Sequence, residues 1–337
     1  MRAAIPAIRD GLHFFATLTP GKLRNYFLLR SSYLFSAIAG RPFHRGMPAS
    51  ISLEPTNRCN LRCPECPSGL HDLSRPAGNA DPGLFMPLID RLHKRLMHII
   101  LYFQGEPFLH PAFFDLIGYA CQKGIYTSTS TNAHFLDDEN ARKTVSSGLH
   151  RLIISLDGTD QQTYEDYRRG GDLEKVLSGI RNVVKWKRKL RSSRPYLVIQ
   201  FLVMKNNEHQ IAAVKKLAGE LGADRLDLKT AQLAGYKDGH RRIPSNPKYS
   251  RYERDGLNGW KVKGRMRNRC LRMWTGAVIT WDGRVVPCCF DKDATHQLGA
   301  LTETGFADIW KGEACKAFRR KVFSERNKID ICRNCKG

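Results

Sequence analysis

The feature that most constrains the fold is a regular alternation of short apolar strands with amphipathic helical segments between residues 48 and 235. The predicted strands are 51–53, 98–103, 126–131, 151–156, 196–203 and 225–229. The predicted helices between them are 87–96, 112–122, 138–147, 164–190 and 209–221. Such alternation indicates a parallel sheet with right-handed crossovers, and six units are too few for a closed eight-unit barrel. The sequence therefore predicts an α/β fold built from six strand and helix repeats.

Three further segments flank or follow these repeats. Residues 1–47 mix aromatic and leucine side chains with lysine and arginine, which predicts a basic, amphipathic helical extension. Residues 236–268 are rich in Pro, Asn, Gly and Arg and are predicted to be a linker. Residues 269–337 contain six of the ten cysteines and are predicted to form a small domain with a β-hairpin and a helix. We therefore expect a central domain at 48–235 and a cysteine-rich domain at 269–337.

The chain is strongly basic, with 55 Lys and Arg against 32 Asp and Glu and a formal net charge of +23. Such an excess favours anionic partners, namely nucleic acid, acidic lipid surfaces or phosphorylated substrates, but does not choose among them. No aromatic and basic stacking motif and no recognition-helix pattern is present, so nucleic acid is not a favoured partner. A non-enzymatic metal protein that binds nucleic acid is kept as a remote alternative.

The cysteines and the N-terminal segment bear on the compartment. The cysteines have metal-like spacings and no cleavable signal sequence precedes them, which favours the reducing cytoplasm. Residues 1–47 contain no uninterrupted run of about 18 apolar residues, so a spanning helix is not expected. Two alternatives remain for this segment: packing against the main domain, or an interfacial helix that makes peripheral contact with an anionic membrane.

Three cysteines, Cys59, Cys63 and Cys66, lie on one short loop after the first predicted strand. Closed structural metal sites use four protein ligands, so three thiolates leave one coordination position open. This C-x3-C-x2-C spacing resembles the cluster loop of the radical S-adenosylmethionine (radical SAM) superfamily. The resemblance implies a partial (β/α)6 barrel and a [4Fe–4S] cluster whose open iron binds S-adenosylmethionine. Many relatives have an aromatic residue where this chain has Glu65, which leaves the local packing of the loop open.

The segment after the second predicted strand, Gln104 followed by Gly105, Glu106 and Pro107, resembles the Gly-Gly-Glu-Pro motif of the same superfamily. Gln104 replaces the first glycine. The resemblance implies that Glu106 and nearby backbone carbonyls accept hydrogen bonds from the amino group of the cofactor. Considered without its position, the tetrapeptide is equally compatible with a turn and a helix-capping carboxylate.

Two further strand ends resemble cofactor-binding elements of the superfamily. Thr131 and Asn132 match its Thr-Asn-Gly element, with alanine in place of the glycine. Ser155 and Asp157 match a Ser-x-Asp-Gly element, and Arg168 follows near the next helix. The resemblance implies contacts with the ribose hydroxyls or the carboxylate of the cofactor. The alternative is that these Asp and Gly residues only form turns and caps.

The C-terminal cysteines Cys270, Cys288, Cys332 and Cys335 form a set of four, and a hairpin turn at 282–283 would bring Cys288 back towards Cys270. The segment resembles the SPASM and twitch domains of radical SAM enzymes. The single set implies the twitch form with one auxiliary [4Fe–4S] cluster. A structural zinc ion held by the same thiolates is the competing interpretation. Cys289, next to a predicted ligand, could exchange for it or have no ligand role.

The resemblance implies an oxidoreductase-like enzyme that reductively cleaves S-adenosylmethionine. A 5′-deoxyadenosyl radical then abstracts a hydrogen atom from a substrate that the sequence does not identify. The resemblance also implies an electron donor such as a flavodoxin or a ferredoxin. The auxiliary cluster favours a two-electron oxidation of the substrate. The alternatives are a maturase that modifies a peptide and an enzyme that acts on a lipid-linked or glycan substrate.

Overall fold

The protein is described here as a computed structural model, which covers residues 4–257 and 259–335. Contacts between Cα atoms divide these residues into two compact units. The first unit contains residues up to 12 together with 59–72 and 129–263. The second unit contains 13–58, 73–128 and the residues from 264 onward. Neither unit is continuous in sequence, and the chain crosses between them within one strand, after Ser128.

The secondary structure follows the predicted alternation. The strands are β1 (Ser50–Leu53), β2 (His98–Ile100), β3 (Tyr126–Thr131), β4 (Arg151–Ser155), β5 (Tyr196–Val203), β6 (Arg225–Thr230), β7 (Tyr252–Asp255), β8 (Gly259–Val262), β9 (Gly276–Ile279), β10 (Arg284–Val286) and β11 (Gly299–Ala300). The helices are α1 (Ala4–Ala16), α2 (Pro20–Ala39), α3 (Pro67–Leu70), α4 (Pro82–Leu92), α5 (Phe113–Gln122), α6 (Asp138–Ser146), α7 (Gln161–Tyr167), α8 (Leu173–Lys189), α9 (Ile211–Glu220), α10 (Arg272–Thr275), α11 (Phe306–Lys311) and α12 (Glu313–Glu325). None of the helices among the described residues is long and apolar enough to cross a membrane.

In the second unit, the strands follow the order β11, β10, β9, β1, β2, β3. β1 pairs in parallel with β2 on one side and with β9 on the other, so that Ser50 aligns with both His98 and Gly276. β10 and β11 extend this arrangement with antiparallel pairing. Ile51 and Leu53 of β1 are fully buried, as expected for a strand with neighbours on both sides.

In the first unit, β4, β5 and β6 are parallel neighbours, and β5 is central to the three. Six of the eight residues of β5 are buried, which explains its continuous apolar sequence. β7 and β8 form a separate antiparallel hairpin. The structure thus confirms the predicted α/β fold with its mostly parallel strands.

Two predicted helix boundaries were wrong, and capping side chains explain both. The helix predicted at 87–96 begins at Pro82 instead, because the Asp81 carboxylate accepts a hydrogen bond from the amide of Gly83 at 2.8 Å and caps the helix. The helix predicted at 164–190 is two helices, α7 and α8. The chain turns between them at Gly170, where φ is +76°, and Asp172 then caps α8.

The segments predicted as a linker and as a hairpin with one helix contain more structure than expected. The hairpin β7–β8 lies within 236–268, and the hydroxyl of Tyr252 in β7 accepts a hydrogen bond from the amide of Leu233 at 2.8 Å. The predicted C-terminal hairpin is β9–β10, which turns at Asp282 and Gly283. Three helices, α10, α11 and α12, accompany it among the described residues instead of one.

Candidate active site

The predicted cluster loop lies in the first unit, between β1 and α3. Cys63 is buried, whereas Cys59 and Cys66 are partly exposed. The amide of Cys66 donates to the carbonyl of Cys63 at 3.2 Å. Gly69 of α3 packs directly on the loop, because a Cβ atom there would lie 2.6 Å from the Cys63 nitrogen and 2.8 Å from its oxygen. The backbone around Cys63 is therefore held by close contact with α3.

Hydrogen-bond donors surround the sulfur atoms of this loop. The amide of Leu61 lies 3.5 Å from Cys59 Sγ, and the side-chain nitrogen of Asn132 lies 3.9 Å from the same atom. Nη1 of Arg168 lies 3.9 Å from Cys63 Sγ. Donors of this kind stabilise thiolate sulfur, which is the form that binds iron. The sulfur atoms of Cys59 and Cys63 therefore both have hydrogen-bond donors nearby.

Asp157 fixes the position of Arg168. One Asp157 oxygen accepts from Arg168 Nε at 2.6 Å, and the other accepts from the amide of Leu202 at 2.7 Å. Burial alone would lower the pKa of Arg168, but Asp157 and Cys63 outweigh it and raise the pKa well above the ordinary value. Arg168 is therefore a permanent cation beside Cys63. Burial raises the pKa of the Cys63 thiol, and Arg168 opposes that rise.

The remaining predicted residues of the first unit lie at the ends of β3 and β4. The hydroxyl of Thr131 accepts from the amide of Ala133 at 2.9 Å. Ala133 has φ of +66°, a conformation that favours glycine, which explains why the superfamily motif has glycine there. The side chain of Asn132 also donates to Asn60 at 2.8 Å. Ser155 is the last residue of β4 and is buried.

The Gly105, Glu106 and Pro107 segment lies in the second unit. A Cβ atom on Gly105 would lie 2.5 Å from the carbonyl oxygen of Thr56, so only glycine fits there, and its φ of +74° requires glycine as well. The amide of Glu106 donates to the carbonyl of Arg58, the residue before Cys59, at 2.8 Å. Glu106 is buried, and one of its oxygens accepts from the amide of Phe108 at 3.2 Å. The carboxylate therefore does cap the short helical turn that begins at Pro107, as the alternative interpretation supposed.

A buried ion pair joins two residues that flank the cluster loop in sequence, and the sequence did not reveal it. Glu54 follows β1 and meets Arg75, beyond the loop, through two hydrogen bonds of 2.6 Å. Neither side chain is exposed to solvent. The amide of Trp281 also donates to Glu54 at 3.0 Å, and Arg75 donates to the carbonyl of Lys292 at 3.2 Å. Arg75 lies in an irregular segment with no periodicity, so no local signal could have identified it.

The four C-terminal cysteines come together in the second unit. Cys270 packs against an apolar cluster that contains Cys332, and the amide of Cys335 donates to the carbonyl of Cys332 at 2.9 Å. Burial raises the pKa of Cys288, and the neighbouring thiols of Cys270 and Cys332 raise it further. The hairpin that contains Cys288 forms as predicted, and the approach of Cys288 to Cys270 stays a prediction. The assignment of the four as cluster ligands remains a prediction.

Two arginines accompany these cysteines and were not predicted. Arg272 Nη1 lies 2.6 Å from the sulfur of the exposed Cys289, and Arg326 Nη2 lies 3.5 Å from Cys335 Sγ. The pKa of Arg272 is raised, chiefly by Cys289. Cationic side chains at this distance stabilise thiolates, so the C-terminal set resembles the first loop in its electrostatics.

No three Cys, His, Asp or Glu side chains converge on the position of a single metal ion anywhere in 4–257 or 259–335. A [4Fe–4S] cluster needs less convergence, because each thiolate binds a different iron. The donor sets of three and four cysteines fit such clusters chemically, and each set has an arginine close to one of its sulfur atoms.

A cavity of about 570 Å³ lies in the second unit beside the C-terminal cysteines. Its wall is mainly apolar and includes Tyr102 and Phe103, which directly precede the Gln104 to Pro107 segment. Arg272, Cys288 and Cys289 form part of the same wall. The volume suits a small-molecule ligand, and Arg272 offers it one cationic contact.

Two known family models match the chain. Residues 53–217 match the model of the Radical SAM superfamily. Residues 270–336 match the model of SPASM, an iron–sulfur cluster-binding domain. The two domains imply a [4Fe–4S] cluster that binds S-adenosylmethionine and auxiliary [4Fe–4S] chemistry at the C-terminal end.

The chain is also similar to individual known proteins and structures. The tungsten-containing aldehyde ferredoxin oxidoreductase cofactor-modifying protein of Pyrococcus furiosus is 27% identical over 301 residues, which are 80% of this chain and 82% of that protein. The crystal structure of BtrN in complex with AdoMet and 2-DOIA has a TM-score of 0.52 at 20% identity and covers 88% of this chain and 95% of that one. The crystal structure of Streptococcus suis SuiB bound to precursor peptide SuiA has a TM-score of 0.63 at 15% identity, and the match covers 91% of this chain and 74% of that one. At these identities the two structures show the fold alone. The chain is a radical SAM enzyme: it belongs to the radical SAM superfamily and carries a C-terminal SPASM domain.

Proposed function

We propose that this enzyme oxidises its substrate by two electrons, with the C-terminal four-cysteine site as the acceptor of the second electron. The observation that carries the proposal is the position of Cys288. This residue belongs to the four-cysteine set and also lines the 570 Å³ cavity. A substrate in that cavity would lie next to the acceptor, and four protein thiolates leave no iron open for direct substrate binding.

The proposal assigns the first cluster to Cys59, Cys63 and Cys66 and the auxiliary cluster to the four C-terminal cysteines. With its cofactors bound, the site supplies reductive cleavage of S-adenosylmethionine and abstraction of a hydrogen atom from the substrate. The proposed cofactor contacts are Gly105, Glu106, Pro107, Thr131, Asn132, Ser155, Asp157 and Arg168.

The chain's own residues prepare this site electrostatically. Arg168 is held by Asp157 at 2.6 Å and keeps a positive charge 3.9 Å from Cys63 Sγ. A fixed cation in a buried position stabilises an anionic ligand set without reorganisation. Both Asp157 oxygens already accept hydrogen bonds from the protein, so we propose that Asp157 acts on the cofactor site mainly through Arg168.

The proposed electron donor is a flavodoxin or a ferredoxin. The net charge of +23 supports this choice, because complementary charge accelerates the encounter with an acidic protein. We expect the rate of cofactor cleavage with such a donor to fall as salt rises, whereas the rate with dithionite should change little.

Peptide modification is the second candidate. Its support is the fold shared with SuiB, which was crystallised with its precursor peptide. A lipid-linked or glycan substrate is the third, because the segment 11–53 carries five cations and no carboxylate. The two-electron oxidation is preferred because the cavity beside Cys288 has the volume of a small-molecule site and a mainly apolar wall.

The proposal is tested on anaerobically reconstituted protein by measuring iron and sulfide per chain and dithionite-dependent 5′-deoxyadenosine. Two clusters predict about eight irons per chain. The Cys288→Ala variant should lose about four of them and still form deoxyadenosine, whereas the Cys63→Ala variant should form none. If wild-type protein holds only about four irons per chain and still cleaves S-adenosylmethionine at the full rate, it has no auxiliary cluster to accept the second electron. That result would contradict the proposed oxidation.

A further inference from the structure

The buried face of helix α2 is mostly polar, which is the reverse of an ordinary amphipathic helix. Lys22, Asn25, Ser32 and Ser36 are at most 7% exposed. Lys22 Nζ donates to the carbonyls of Thr17 and Gly124 at 2.8 and 2.6 Å. Hydrogen bonds of this kind satisfy the buried polar groups and hold the helix in place.

The opposite face of α2 is apolar and exposed. Leu23, Phe27, Leu34 and Ile38 are 40%, 68%, 62% and 79% exposed. Their spacing of 4, 7 and 4 residues places them in one stripe along the helix. Phe35, beside the stripe, is 55% exposed. Four large apolar side chains in an exposed row are uncommon in a protein that has no partner for them.

This arrangement identifies the stripe as a contact surface. An amphipathic helix normally buries its apolar face. Here the buried face is mainly Lys, Asn and Ser, anchored by hydrogen bonds within the second unit. The apolar stripe is therefore left for a medium outside the described chain.

The charges around the stripe indicate which medium this is. Arg24 and Arg30 lie on the exposed surface of α2, and Arg41 and Arg45 are exposed just after it. No aspartate or glutamate occurs between residues 11 and 53. Pairing with a second copy of α2 would bring these cations together, whereas a surface of anionic phospholipids neutralises them. An interfacial helix combines arginine with exposed aromatic and leucine side chains in this way.

We propose that α2 lies in the headgroup region of an anionic membrane, with the stripe of Leu23, Phe27, Leu34 and Ile38 inserted and the arginines bound to lipid phosphates. The proposal does not depend on the reaction that the enzyme catalyses. It would place the enzyme at a surface where amphiphilic substrates are concentrated.

The test measures binding of the anaerobic, cluster-loaded protein to vesicles by co-sedimentation. The vesicles are phosphatidylcholine alone, or phosphatidylcholine with an equal share of phosphatidylglycerol. We expect binding to the anionic vesicles at least about tenfold tighter, and weakened by salt. Replacing Arg24 and Arg30 by glutamine should weaken it by about fivefold per arginine.

The stripe is tested with the triple variant Phe27→Ser, Leu34→Ser and Ile38→Ser, which changes only exposed positions. It should lose vesicle binding while its iron content and circular dichroism stay those of wild type. The matched control is Leu257→Ser, because Leu257 is 95% exposed in the first unit, outside the stripe. The control should bind like wild type.

Three results would overturn the proposal. One is wild-type protein that binds neither vesicle. Another is a triple variant that still binds like wild type. The third is a concentration-dependent dimer of wild type that the triple variant abolishes, which would make the stripe an interface between two copies.

Discussion

Replacing Arg75 by methionine should destabilise the protein far more than the loss of one surface ion pair. Arg75 and Glu54 make two hydrogen bonds of 2.6 Å, and neither side chain is exposed. Methionine keeps an unbranched stem like that of arginine but lacks the guanidinium group and its charge. The variant therefore leaves the Glu54 carboxylate buried, with the amide of Trp281 as a hydrogen-bond donor 3.0 Å away.

The expected loss follows from this burial. Removing one partner of a fully buried ion pair costs about 3–5 kcal/mol, because the remaining charge is uncompensated. With a urea dependence of about 3 kcal/mol per M, the unfolding midpoint should fall by about 1–1.7 M. The double variant Glu54→Gln with Arg75→Met removes both charges and keeps an acceptor for the Trp281 amide. It should recover at least half of the loss.

The loss should also depend on pH. Burial raises the pKa of the Glu54 carboxyl, and Arg75 opposes that rise. Without Arg75 the folded pKa rises further above the unfolded value of about 4.3. A group with a raised folded pKa stabilises the fold while protonated, and this contribution is lost as pH rises through the folded pKa. The stability deficit of the variant relative to wild type should therefore grow by up to about 1.4 kcal/mol per pH unit between the folded pKa of Glu54 in wild type and its higher folded pKa in the variant.

The assay is urea unfolding of the cluster-loaded protein under anaerobic conditions, followed by tryptophan fluorescence at pH 6 and pH 8. The reasoning is refuted if the Arg75→Met midpoint at pH 8 lies within about 0.2 M of wild type, a shift typical of surface substitutions. It is also refuted if the double variant is no more stable than the single one, because the buried carboxylate would then not be the cause.

Three further predictions concern the site and α2. The Gly69→Ala variant should lose iron from the first cluster, because its Cβ would lie 2.6 Å from the Cys63 nitrogen. The control is Gly118→Ala in α5, where a Cβ atom would meet nothing within 4 Å. It should keep its full iron content, and its free energy of unfolding should rise by up to about 1 kcal/mol. The Cys288→Ser variant should lose the electron paramagnetic resonance signal of the auxiliary cluster and keep that of the first, and the loss of both signals would contradict independent sites. Burial lowers the pKa of Lys22 in the folded protein to about 8. Between that pH and the unfolded pKa of about 10.4, the unfolded chain binds more protons than the folded protein, so the free energy of unfolding should rise with pH. Lys22→Met should remove that part of the slope in urea titrations at pH 7.5 to 10, and an unchanged slope would contradict the assignment.

The sequence predicted the elements whose signal is local. β5 was predicted with its correct limits because strands on both sides keep its eight residues continuously apolar. The sequence did not predict the division between α7 and α8, although Gly170 and Asp172 are turn and cap residues. Apolar residues recur at helical spacing on both sides of them, and this pattern predicted one continuous helix. The cysteine loop was visible because three thiols share one short segment.

Long-range arrangements could not be predicted. The pairing of β9 with β1 joins residues far apart in sequence, and nothing in either strand specifies the partner. Arg75 is one of many arginines, and only the fold shows that it meets Glu54. The apolar stripe of α2 was visible as a pattern, but the pattern alone did not show that the polar face would be the buried one.

The pairing of β9 with β1 has a consequence for biogenesis. β1 ends at Leu53 and β9 begins at Gly276, so roughly 220 residues must be synthesised before one edge of β1 is covered. At about 5–20 residues per second, this takes roughly 10–45 s. During that time the growing chain has an unpaired apolar strand edge directly before the cysteine loop, and such edges recruit other strands. The nascent chain should therefore need a chaperone until β9 leaves the ribosome, and truncation before residue 276 should yield aggregates.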